Sequence, residues 1–170
     1  MSVRSLILFP DRGLSQPCEV VQEFGVALKN LLDDLRDTLY AGPGVGLAAP
    51  QIGVHRRVSF LDIHRGKKGK AGSSPKERGA YFIVNPVLLS GRGIQTPREG
   101  CLSIPDLLAN VRRYQAVTVR SLNERGEERL IQAEGFEALA LQHEMDHLDG
   151  KLFLDRVTNL KTDIFRRKSY

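Results

Sequence analysis

His143-Glu144-Met145-Asp146-His147 sets two imidazoles four residues apart, with a carboxylate directly after the first. On a helix, residues i and i+4 lie on one face, one turn apart, so His143 and His147 can grip the same divalent ion. Glu144 projects about 100° further round, close enough to reach a water beside the ion without ligating it. Two neutral imidazoles would fix the ion, while the carboxylate takes a proton from the water and later passes it on. The spacing predicts a metal-dependent hydrolase.

The third ligand narrows the chemistry. A zinc endopeptidase with this pattern takes it from a Glu or His downstream of the second histidine. Leu148 to Tyr170 contain neither, and nothing singles out Asp149, Asp155 or Asp163. Upstream, Cys101 stands in Arg98-Glu99-Gly100-Cys101-Leu102-Ser103-Ile104-Pro105. A thiolate beside glycine and before an extended stretch can approach a metal closely. A Cys/His/His set also leaves a fourth position open, as catalytic sites do. Cys18, beside Pro17 at a predicted helix start, is the weaker candidate and reads as a small buried residue. His55 and His64 flank a predicted strand and read as surface residues. Asp146 points partly aside and is expected to anchor the helix; Glu99 is expected to orient the cysteine loop.

These residues need a scaffold. The helix carrying the histidines is predicted from Phe136 to Leu148, with a glycine stop at Asp149-Gly150. A long N-terminal helix is predicted from about Pro17 to Tyr40, where Val20, Val21, Phe24, Leu28, Leu31, Leu32, Leu35 and Leu39 recur at helical spacing. It stops at Ala41-Gly42-Pro43-Gly44, and Gly44 to Gln51 reads as small, apolar and irregular. Strands are expected at Arg57–Ile63, at Tyr81–Val84 and at Val87–Leu89, the last two interrupted by Asn85-Pro86. A hairpin joins Ala116–Leu122 to Glu128–Ala133. Arg65 to Gly79 has the composition of a surface loop, and a short basic helix is expected from about Asn159 to Lys168. Strands and helices do not alternate as βαβ units. The prediction is therefore one α+β domain over residues 1–170, with antiparallel sheets around a central helix that carries His143 and His147.

With 41% hydrophobic and 26% charged residues in 170, the chain can bury one core. Twenty-five basic against 20 acidic side chains give a net charge of +5, too weak to indicate a nucleic-acid binder, and no DNA partner is expected. No apolar run approaches the ~20 residues of a membrane span. Leu6 to Phe9 ends at Pro10, too short for a secretory core, so the cytoplasm is the default expectation. In that reducing compartment Cys18 and Cys101 are expected as free thiols or ligands rather than a disulfide.

Gly44-Val45-Gly46-Leu47-Ala48-Ala49-Pro50-Gln51, Glu99-Gly100-Cys101-Leu102-Ser103 and His143-Glu144-Met145-Asp146-His147 follow one another in the order of the GxGxAAxQ, EGCxS and HExDH segments of peptide deformylases. All fixed positions match, and the chain resembles that family from about Ile7 to Leu160. The resemblance implies removal of the formyl group from the N-terminal formyl-methionine of newly made polypeptides, with release of formate. It implies Cys101, His143 and His147 as metal ligands and Glu144 as general acid and base. It also implies Gln51 and the backbone N–H of Leu102 as donors to the oxyanion. Fe(II) is the expected metal, with zinc, nickel or cobalt as alternatives.

A methionine side chain needs an apolar slot. Phe136, Leu139 and Ala140 lie seven, four and three residues before His143 on its helix face. With Val45, and with Gly46 admitting a close backbone, they are the candidate substrate-binding residues. Two rivals remain. One is an HExxH zinc endopeptidase, which the absence of a downstream ligand opposes. The other is a metal-stabilised RNA-binding module, in which a base beside an open metal position would be wasted. Lys161, Arg166, Arg167 and Lys168 could make transient contact with ribosomal RNA, although a solvated helix is the simpler account.

Overall fold

Leu28, Leu32, Leu35 and Leu39 repeat every three or four residues and form the buried stripe of α1 (Val26–Ala41), packed on Leu47, Ile52, Val58 and Phe60. Each fully buried leucine contributes roughly 1.5–3 kcal/mol. The computed structural model describes residues 2–65 and 79–168, so the loop expected over Arg65–Gly79 lies, apart from its two ends, outside the described residues. The helix starts at Val26, not at Pro17. Residues 17–24 form no helix and bond sideways: Cys18 N–H to Leu148 O, Glu19 N–H to His55 O, and Val21 N–H to Asn85 Oδ1. Those partners are distant in sequence and outcompete a local helix, leaving Val20 55% exposed.

Among the described residues eight strands follow: β1 (Gly46–Ala48), β2 (Val58–Leu61), β3 (Tyr81–Gln95), β4 (Arg98–Cys101), β5 (Ile104–Asn110), β6 (Arg113–Leu122), β7 (Glu128–Glu134) and β8 (Ile164–Arg166). They build two antiparallel sheets, one ordered β1-β2-β3-β6-β7 and the other β4-β5-β8. The segment expected to be irregular contains β1, which pairs Gly46–Ala48 with Ser59–Leu61, and then a tight 3-10 turn over Ala49–Ile52. Asn85-Pro86 does not end its strand. The proline lacks an N–H and sits in a bulge, with the register shifting between Val84 and Val87, and β3 continues to Gln95.

The second helix, α2 (Gly135–Leu148), leaves β7 with no linking residue, which Gly135 permits by adopting φ +56°. It runs against β1, β2, β6 and β7, burying Ala138 and Leu141 among Leu61, Ile83, Val117 and Val119. This is the central helix of the predicted α+β architecture. The C-terminal helix expected at Asn159–Lys168 is replaced by β8. Ile164, Phe165 and Arg166 pair with Ala109, Leu108 and Leu107, because β5 offers an open edge that local helix propensity cannot sense. Among the described residues no helix is long and apolar enough to cross a membrane.

Candidate active site

One turn of α2 separates His143 from His147, and the end of β4 brings Cys101 to them. The three ligand atoms lie within 4.8 Å of one another, with Cys101 Sγ 3.3 Å from His147 Nε2. His143 Nδ1 lies 2.9 Å from a Glu99 carboxylate oxygen, which leaves Nε2 for the cluster. Arg113 donates to both oxygens of Glu99, at 2.7 and 3.0 Å, and to Asp146 at 2.5 Å. Arg156 closes the chain by donating to Asp146 at 2.6 and 3.1 Å. Asp146 thus ties α2 to β6, and Glu99 holds a histidine as well as its own loop.

Gln51 is turned by its backbone surroundings. Its Oε1 accepts from Ala48 N–H at 2.9 Å, so Nε2 faces Cys101 Sγ at 3.4 Å and Ser103 Oγ at 3.1 Å. Glu144 is buried, and its Oε2 has no hydrogen-bond partner among the described residues. A Cβ on Gly46 would collide with the Glu144 carboxylate, so this glycine makes room for it.

The electrostatics follow from burial and partners. Burial pushes the Cys101 thiol up, but His147 and His143 outweigh it and hold the thiol well below its ordinary value. Burial likewise opposes a charged His143, yet Cys101 and Glu99 draw it well above the usual histidine range. Glu144 behaves oppositely: burial raises it to about 7 although both histidines pull it down. A Cys101 thiolate whose negative charge draws His143 toward its protonated form also suits a divalent ion, whose positive charge takes the place of that proton. The donor set and the orphaned carboxylate oxygen beside it fit a catalytic metal.

The cluster opens into a cavity of about 240 Å³, lined by Val45, Gly46, Gln51, Leu102, Phe136, Leu139 and Ala140 together with Cys101, His143 and Glu144. Phe136, 49% exposed, stands at its rim. Pro43, Arg98, Gly100 and Arg167 also line it; none carried a pocket signal in the sequence. The other sequence candidates lie elsewhere. Cys18 is buried against Ala48 and Leu148, and burial pushes its thiol up to about 11. His55 Nε2 meets Gly13 O at 2.9 Å. Asp149 pairs with Arg57, Asp155 accepts from Leu152 N–H, and Asp163 accepts from Asn110. Arg113 and Arg156 were missed, since nothing in their local sequence marks them; Ser103 stands in the EGCxS segment, which by itself gives the serine no role.

The sequence profile of polypeptide deformylases matches residues 3–163. The chain belongs to the polypeptide deformylase family. It is 39% identical to the peptide deformylase of Syntrophobacter fumaroxidans over 168 residues, covering 99% of this chain and 94% of that one. It is 41% identical to peptide deformylase 1 of Bacillus subtilis over 163 residues, or 96% and 95% of the two chains. Among solved structures, a peptide deformylase from Legionella pneumophila matches with TM-score 0.83 and 41% identity, over 94% of this chain and 89% of that one. The Ehrlichia chaffeensis peptide deformylase in complex with actinonin matches with TM-score 0.83 and 36% identity, over 95% and 92%. Members of this family are metal-dependent hydrolases that remove the N-formyl group from nascent polypeptides, and the endopeptidase alternative is not favoured.

Proposed function

We propose that this chain, acting as one catalytic domain over residues 1–170, deformylates formyl-methionyl N-termini through Cys101, His143, His147, Glu144, Gln51 and the Leu102 N–H. The observation that carries the reading is the buried, unpartnered Glu144 oxygen beside a Cys/His/His cluster at a cavity wall. Cys101, His143 and His147 hold the metal, which when bound supplies Lewis acidity to the carbonyl and lowers the pKa of a water. Fe(II) is the proposed ion in the cell, although a thiolate with two imidazoles also accepts zinc, nickel or cobalt.

Glu144 takes the proton of the attacking water and returns it to the leaving amine, a task suited to a carboxyl that burial has raised toward neutrality. Gln51 Nε2, aimed at the cluster by Ala48, and the Leu102 N–H donate to the developing oxyanion; losing one such donor costs about 3–4 kcal/mol. Val45, Phe136, Leu139 and Ala140 receive the methionine side chain, with Gly46 lining the same cavity. Leu139→Trp is accordingly expected to raise KM for formyl-methionyl peptides. The proposed setting is the cytoplasm. A transient ribosome contact would run through Lys161, Arg166, Arg167 and Lys168, and salt-dependent co-sedimentation with ribosomes tests it.

The decisive experiment is anaerobic purification with elemental analysis, followed by formate release from formyl-Met-Ala-Ser beside casein digestion. Formate without casein cleavage is the expected result. Casein cleavage without formate, or neither, overturns the reading.

A further inference from the structure

Charge is unevenly placed around the cavity. Its carboxylates, Glu99 and Glu144, are both buried, and Glu99 is taken up by Arg113 and His143. Its exposed charge is cationic. Arg98 lines the cavity from the start of β4, with its guanidinium carbon 3.8 Å from the ring centroid of Phe165 on β8. Stacking on an aromatic face holds the planar fork in one orientation while its N–H edge stays available to a carboxylate. Among the described residues, no carboxylate pairs with Arg98. Arg167 crosses Gly100, where a Cβ would collide with its guanidinium, and lines the same cavity. It has a partner of its own and contributes wall and field rather than a vacant fork.

The reach can be estimated. Arg98 precedes Cys101 by three residues on an extended strand, and β4 is the outer strand of its sheet. At ~3.3 Å per residue that is about 10 Å, which an extended peptide also spans in about three residues. A peptide with its formyl group at the metal cluster therefore brings its second or third residue to Arg98.

We propose that Arg98, with Arg167 beside it, is a specificity determinant that favours formyl-methionyl substrates carrying a carboxylate at the second or third residue. The proposal rests on the deformylase reading and adds a substrate class to it. Arg98 acts on binding and does not touch the reacting atoms.

The test is kcat/KM for C-terminally amidated formyl-Met tripeptides with Glu, Gln or Lys at the second or third position. Amidation removes the terminal carboxylate that would otherwise satisfy Arg98. Glu is expected to exceed Lys by about tenfold at the better position, with Gln between, because an exposed pair gains and a like pair loses a few-fold each. The difference should lie in KM and shrink in 0.5 M salt. Arg98→Glu should invert the order and Arg98→Gln should flatten it. Arg92→Gln, which removes the same charge outside the cavity, should keep it. Equal kcat/KM for the Glu and Lys peptides in the wild type, or the wild-type order surviving in Arg98→Glu, overturns the proposal. The wild-type comparison needs no variant to fold. Absence of formate from every peptide is a different result, which removes the deformylase reading and this inference with it.

Discussion

Glu99 and Glu144 are the same residue type, each 4% exposed and each close to His143, yet the protein treats them in opposite ways. Burial would raise both. At Glu99, Arg113 and His143 supply bonds and charge that outweigh it and hold the carboxyl below its ordinary value. At Glu144 one oxygen has no partner among the described residues, and the carboxyl rises to about 7. The lower side of the cluster is a satisfied ionic frame, and the side facing the cavity keeps a carboxyl that can change protonation state. Position alone does not make an acid functional; what matters is whether the protein has left its bonding capacity unspent.

That contrast can be broken most severely at Glu144. Glu144→Gln should lower kcat for formate release by about 10²–10⁴-fold, while metal content by elemental analysis stays near wild type. Arg113→Met tests the frame. It takes one arginine from each of two buried carboxylates, leaving Glu99 with His143 and Asp146 with Arg156, and should cost about 3 kcal/mol in chemical denaturation of the metal-loaded protein.

A milder probe is Glu99→Gln, which weakens the hold on His143 and should reduce metal affinity about 10–100-fold, with activity recovered by added metal. If Glu99→Gln instead behaved like Glu144→Gln and stayed inactive with metal bound, the division between frame and reacting group would be wrong. The smallest effect is on pH. Glu99 and Asp146 lie below their ordinary values because arginines and His143 outweigh burial. Their contribution to stability is thus present above the unfolded carboxylate range of about 4 and is lost as pH falls through the folded values. Denaturation midpoints should decline below about pH 4.5 in the wild type and less steeply in Arg113→Met.

Legibility followed locality. His143, Glu144 and His147 could be read together because a helix converts spacing into a shared face, and α2 formed within one residue of its predicted start. Cys101 was reached only by elimination and by its glycine loop, since it lies 42 residues before His143. Arg113 carried no signal at all. It is one of 25 basic residues, and only packing distinguishes a buried arginine with two carboxylates from a solvated one. Apolar spacing misled before Val26, and the short basic helix expected at the C-terminus gave way to β8; in both places distant partners decided the backbone.

By itself the sequence determined an α+β chain with two imidazoles and a carboxylate on one helical face, a thiol to complete the set, and an apolar turn before it. Periodicity and residue chemistry are local properties of the chain, so they hold before it folds. The tertiary structure alone decided that Arg113 binds Glu99 and Asp146, that Gly46 clears space for Glu144, and that β8 carries Phe165 beneath Arg98. Each of those depends on segments far apart in the chain meeting at van der Waals or hydrogen-bonding distance, which no local pattern encodes.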